Sequence, residues 1–191
     1  MSEATRVAYF AYGANVHPGW LRRRVPEAEL HGAALLPGHR LVFRKRGRDG
    51  AARSDACPST TPGDALPGAL YWLPAESLER LGAAGAGYRS VEVVVRTVEG
   101  EIRARTWMAE PAEHAEGLLP WDWYVELIRA GAELLELPAA HRRWLQGVPV
   151  ARDPDRARAA AAHLVIAGTS EVPGSPRPAH RPRPRDPRRE R

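Results

Sequence analysis

The stretch Val7-Ala8-Tyr9-Phe10-Ala11-Tyr12-Gly13-Ala14-Asn15-Val16 decides how this chain folds. It begins as a short apolar run with aromatic residues, the pattern of a buried strand. It breaks at Gly13 and Asn15, residues that tolerate positive φ and so permit a sharp turn. Pro18, Trp20 and Leu21 follow, with Arg22, Arg23 and Arg24 behind them, which reads as a helix carrying proline in its first turn. A strand that runs through a glycine turn into a helix start aims several backbone N–H groups at one point in space. Such a point suits an anion, a carboxylate or a developing oxyanion. A plain strand-turn-helix in a core has the same local pattern, so local chemistry leaves both readings open.

Outward from this stretch, residues 33–43 read as a strand interrupted at Pro37-Gly38. Residues 44–61 are polar, with no usable periodicity, and are expected to form a long loop. Residues 68–73 give a third strand. Pro74 then opens a helix in which Leu78 and Leu81 recur at helical spacing before a run of glycines ends it. Residues 88–97 are the clearest strand: Val91, Val93 and Val95 point one way and Tyr88, Glu92 and Val94 the other. Glu99-Gly100 is expected to turn the chain into a partner strand over 102–108. From Pro120 the period changes from two to 3.6: Trp121, Tyr124, Leu127, Ile128 and Leu135 mark an amphipathic helix, Pro138 opens a second, and 157–162 suits a short third. Strands first and helices last, plus one early helix, make an α+β domain.

The chain has 191 residues, 43% of them hydrophobic, enough for one domain with a substantial core. The expected division is a folded domain over 1–168 and a basic Arg/Pro-rich tail over 169–191. That tail has too little apolar surface to offset its ordering entropy, so disorder is expected there. It carries a net +4 of the chain's +5, so the folded part is close to neutral. Contact of the tail with nucleic acid would be non-specific. One cysteine, Cys57, excludes an internal disulfide. No stretch approaches the ~20 apolar residues of a membrane span, and a soluble cytoplasmic protein is expected.

Tyr9-Phe10-Ala11-Tyr12-Gly13-Ala14-Asn15 resembles the YFAYGSN signature of the γ-glutamylcyclotransferase-like family, with Ala14 where that pattern usually has Ser. Further pieces follow in the same order. His39-Arg40-Leu41-Val42-Phe43 is similar to the family's second strand, and Pro67-Gly68-Ala69-Leu70-Tyr71 to its G-x-x-Y strand. Leu78 to Leu81 resembles the helix leading to the catalytic carboxylate, and Tyr88-Arg89 the start of the strand after it. The run from Trp123 to Ala132 resembles the C-terminal helix with its Gly-Ala pair. The resemblance spans roughly residues 6–147. It implies a small mixed barrel-like sheet with helices around it.

It also implies a chemistry. The α-amino group of a γ-glutamyl amine or amide attacks its own γ-carbonyl, closing 5-oxoproline and expelling the amine. Proximity comes mostly from the substrate, a carboxylate moves the proton, and no metal or cofactor is needed. Tyr12, Gly13, Ala14 and Asn15 match the binding turn, and Tyr124 matches a substrate-contacting tyrosine. The family's L-D-x-x-E-G stretch here reads Leu81-Gly82-Ala83-Ala84-Gly85-Ala86, which puts Gly85 at the place of the catalytic Glu. Glu92, Asp55, Asp64 and Glu79 are candidates for a relocated carboxylate, with Glu92 foremost because a strand holds it rigidly near Tyr88. Three roles stay open: an enzyme with altered proton transfer, an inactive relative that binds a ligand or partner, and an accessory protein whose arginine-rich tail docks on an acidic partner.

Other motifs carry less. The glycine run 82–87 leads from a helix into a strand, the reverse of a phosphate-binding loop. No two histidines lie three to five residues apart, and a single cysteine cannot complete a zinc set, so no metal is expected.

Overall fold

The computed structural model describes residues 5–168. The stretch 169–191, expected to be disordered, lies outside the described residues. In chain order the elements are β1 (Arg6–Ala11), a 3-10 turn (Ala14–Val16), α1 (Pro18–Arg22), β2 (Glu29–Pro37), β3 (His39–Arg46), β4 (Ala52–Pro58), β5 (Ala65–Pro74) and α2 (Ala75–Ala84). After these come β6 (Tyr88–Thr97), β7 (Gly100–Ala109), a second 3-10 turn (Pro111–Glu113), α3 (Asp122–Leu134), α4 (Ala139–Gln146) and α5 (Arg156–Gly168).

Five strands close into a barrel in the order β1-β5-β2-β6-β7. The closing contact of β1 with β7 is parallel, at Tyr9 and Arg105, while the other neighbours are antiparallel. The α+β class and the small mixed barrel expected from the sequence are therefore present. Inside the barrel lie Phe10, Leu70 and Val95, met by Leu127 and Ile128 of α3. A second cluster on the outer face joins Tyr9, Tyr71 and Leu73 to Leu78 and Leu81 of α2. Each such side chain contributes about 1.5–3 kcal/mol on full burial, and the two clusters sandwich β1 and fix where its C-terminal end emerges.

Three expectations are corrected. Residues 33–43 are not one strand: β2 ends at Pro37, Gly38 turns at φ +65°, and β3 belongs to a separate two-stranded sheet with β4. Residues 44–61 are not a loop but largely that β3–β4 hairpin. Its polar residues have internal partners, Arg44 with Asp55 at 2.8 Å and Arg53 with Asp49, so the strands lack the apolar alternation that advertises a strand. The β6–β7 connection is Val98-Glu99, one residue earlier than expected, because Thr97 and Gly100 form the last pair. On β6 the faces are as read: Val93 and Val95 are buried, and Glu92 and Val94 are exposed.

Helix α3 crosses behind the first turn. A Cβ at Gly131 would stand 2.7 Å from the His17 nitrogen and from Val16 Cγ1, so the Gly-Ala pair is where helix and turn touch backbone to backbone. Helix α5 runs to Gly168, longer than the 157–162 segment expected, and Asp153 ties it down by accepting from both Arg158 and the Trp123 indole.

Candidate functional site

The turn after β1 is a short 3-10 helix held from behind. Val16 and His17 donate to the carbonyls of Gly13 and Ala14, and the buried Tyr71 hydroxyl donates toward the carbonyls of Asn15 and Val16. The first N–H groups of such a helix have no partner within it, and no side chain caps Gly13. His17 lies buried beneath and caps α1, accepting from the Trp20 N–H at 3.3 Å. Burial lowers its imidazole from the ordinary 6.5.

In front of the turn lies a cleft of about 350 Å³, at the small end of the ~300–1,000 Å³ of small-molecule sites. Tyr12, Gly13, Ala14, Asn15 and Tyr124, the residues singled out from the sequence, all line it, as does Gly85. Ser54 of β4 ties the wall together. Its Oγ and the Tyr124 hydroxyl are 2.7 Å apart, its N–H donates to the same hydroxyl at 3.3 Å, and its carbonyl accepts from Tyr88 at 2.7 Å. A Cβ at Gly13 would sit 2.3 Å from Ser54 Oγ and 2.9 Å from the Tyr124 hydroxyl, so glycine is demanded there by close approach. The Tyr12 hydroxyl donates to the Trp107 carbonyl. The Asn15 amide donates to the Tyr9 hydroxyl at 3.0 Å, and its carbonyl oxygen accepts from Arg24. Burial raises Tyr9, Tyr12 and Tyr88 above the ordinary tyrosine value.

The charged residues of the lining are all cationic: Arg24, Lys45, Arg48 and Arg53. Arg53 lies over the rings of Tyr124 and Trp123 at 4.8 and 5.7 Å and is held by Asp49. Lys45 lies 5.3 Å over Tyr88, and its side chain is only 6% exposed. Sequence reading missed these two, because it placed both in a loop. The polar character of 44–61 was the available signal.

The proposed substitute carboxylates do not reach this cleft. Glu92 is 63% exposed and pairs with Arg103 at 3.0 Å. It shares the parity of Tyr88, but four residues along a strand are about 13 Å, enough to leave the cleft behind. Glu79 pairs with Arg105 at 3.0 Å on the surface, and Asp64 accepts from Ser59. Asp55 is buried beneath the wall, accepting from the Ala109 N–H at 2.9 Å and from Arg44 at 2.8 Å. Among the described residues, no Asp or Glu lines the cleft. At Gly82 a Cβ would stand 2.1 Å from the Trp107 ring, whereas at Gly85 the nearest atom is 3.5 Å away, and φ there (−97°) is outside the left-handed region that favours glycine. Position 82 is filled from outside; position 85 is open.

No family model matches the sequence, and no curated protein matches it. Solved structures do. One is a γ-glutamyl cyclotransferase, 23% identical over 86% of this chain and 99% of that one, with a TM-score of 0.73. An uncharacterised human protein is 23% identical over the same shares, at 0.71. YkqA from Bacillus subtilis is 22% identical over 77% of this chain and 56% of that one, at 0.61. The chain has the γ-glutamylcyclotransferase-like fold.

Proposed function

We propose that the cleft binds a γ-glutamyl amine or amide and closes it to 5-oxoproline, releasing the amine, without a carboxylate to move the proton. In this reading Tyr12, Gly13, Ala14 and Asn15 hold the glutamyl end, with turn amides opposite the carboxylate or the oxyanion, and Tyr124 contacts the substrate. The fold supports the reading. The observation that carries it is the open, acid-free cleft in front of the turn, whose lining charges are all positive. Because nucleophile and electrophile belong to one molecule, most of the barrier is lowered by the substrate's own geometry. What is lost is the carboxylate that moves the proton, with Gly85 at its place; a positioned acid–base group is worth about 10²–10⁴ in rate. The chain is therefore a slow cyclotransferase.

The same lack of an acid favours a second reading, a protein that binds the ligand and does not turn it over. Titrating the full chain with γ-glutamyl-methylamide and its α-glutamyl isomer, while following 5-oxoproline, separates them. Saturable binding of the γ-isomer with slow product supports the first; binding without product supports the second. Absence of binding to either isomer contradicts both.

A further inference from the structure

We infer that Lys45 is the proton carrier of this cleft, taking a proton from the attacking α-ammonium and returning it to the departing amine. This rests on the cyclisation reading above. The first observation is place. The register of β3 against β4 shifts between Phe43 and Lys45, a bulge of the kind that re-aims a side chain. Lys45 lines the cleft, and its Cε would stand 2.9 Å from a Cβ at Gly87, beside the Glu113 side chain, so the end of the side chain lies by the 85–88 segment that carries Gly85.

The second observation is elimination. The arginines of the lining stay charged. Burial keeps the Tyr9, Tyr12 and Tyr88 hydroxyls protonated, and the Tyr124 hydroxyl is tied to Ser54. Lys45 remains as a group that can both lose and regain a proton.

The third is coordination. One of its three donors goes to the Arg46 carbonyl at 2.6 Å, and the nearest carboxylate, Glu113, is 3.9 Å away, beyond a hydrogen bond. A buried ammonium so incompletely engaged can turn a donor, or its lone pair when neutral, toward a ligand. Burial lowers it from the ordinary 10.5; Glu113, from the turn after β7, raises it, while Arg53 of β4 and Arg48 of the hairpin tip lower it further, and the ring facing it is that of Tyr88.

The step balances. In its neutral form, Lys45 accepts a proton from the α-ammonium. The freed amine attacks the γ-carbonyl carbon, forming the ring C–N bond and a tetrahedral oxyanion. The attack leaves the ring nitrogen with two hydrogens and a positive charge. Lys45 gives its proton to the leaving nitrogen and takes the second proton from the ring nitrogen, and as the oxyanion collapses the bond to the leaving nitrogen breaks. Lys45 then hands that second proton to the departing amine. The products are 5-oxoproline and the protonated amine, with Lys45 neutral again.

The test is the rate of 5-oxoproline release from γ-glutamyl-methylamide by the full chain, by Lys45→Met, by Lys45→Arg and by the double variant Lys45→Met/Gly85→Glu. Both single variants are expected to lose about 10²-fold in kcat, since arginine keeps the charge but cannot give up its proton. The double variant is expected to recover turnover, which also shows that the fold survives the loss of Lys45. Wild-type kcat in Lys45→Arg would make the residue a fixed cation, and unchanged kcat in Lys45→Met would remove it from the reaction; either overturns the proposal and leaves the cyclisation reading standing. Saturable binding with no product from the unmodified chain overturns both together.

Discussion

Gly13 is fixed by what a side chain there would strike. Gly13→Ala drives a methyl into Ser54 and Tyr124, whose hydroxyls close the wall of the cleft. Overpacking of this kind costs about 1–3 kcal/mol, read as a fall of about 2–4 °C in the unfolding midpoint for each kcal/mol. Weaker γ-glutamyl binding should accompany it; an unchanged midpoint and affinity would show that the wall yields freely. His17 adds a pH dependence. Its folded-state value lies below the unfolded one, so its contribution to stability is complete above about 6.5 and is lost as pH falls through the folded value. Urea midpoints should therefore drop on the acid side of pH 6.5, and the slope should shrink in His17→Asn; equal slopes would place the proton uptake elsewhere.

Among the elements, α5 depends on a single buried acid. Asp153 accepts two bonds from Arg158 and one from the Trp123 indole at 2.6 Å, and those bonds hold its carboxyl at about 2. Asp153→Ala leaves the indole N–H without its acceptor, a cost of about 1–3 kcal/mol, and hydrogen exchange should accelerate first in Arg156–Gly168. Uniform acceleration across the barrel would contradict a local anchor. The same scale shows how much could be read from the sequence. β1 with its turn, β5, β6 and α3 carry clean periodicities, and Tyr12–Asn15, Gly85 and Tyr124 line one cleft. The β3–β4 hairpin was illegible because its polar residues satisfy one another across the pair, a relation that spacing does not reveal. Lys45 and Arg53 went unseen with it. Glu92 was misplaced because alternation gives the face of a strand but not the distance along it.

At the scale of the whole molecule, charge is unevenly placed. The folded part is nearly neutral, yet four cations and no carboxylate of the described residues face the cleft. Ligand affinity should therefore weaken as salt rises from 0.05 to 0.5 M, over which screening shortens from above about 10 Å toward about 3 Å; salt-independent affinity would mean that these cations do not meet the ligand. A chain ending at Gly168 should keep both its midpoint and its γ-glutamyl affinity, since every described residue that lines the cleft precedes Gly168. Loss of binding on that truncation would give the tail a role in the site.

The central claim is a cleft shaped for a γ-glutamyl compound with an open place where an acid would stand, and Gly85→Glu tests it most directly because that position has room and a negative φ. Initial rates of 5-oxoproline release from γ-glutamyl-methylamide should rise above those of the unmodified chain, with binding retained. A Gly85→Glu protein that folds, melts normally and releases no more 5-oxoproline than its parent would contradict the account.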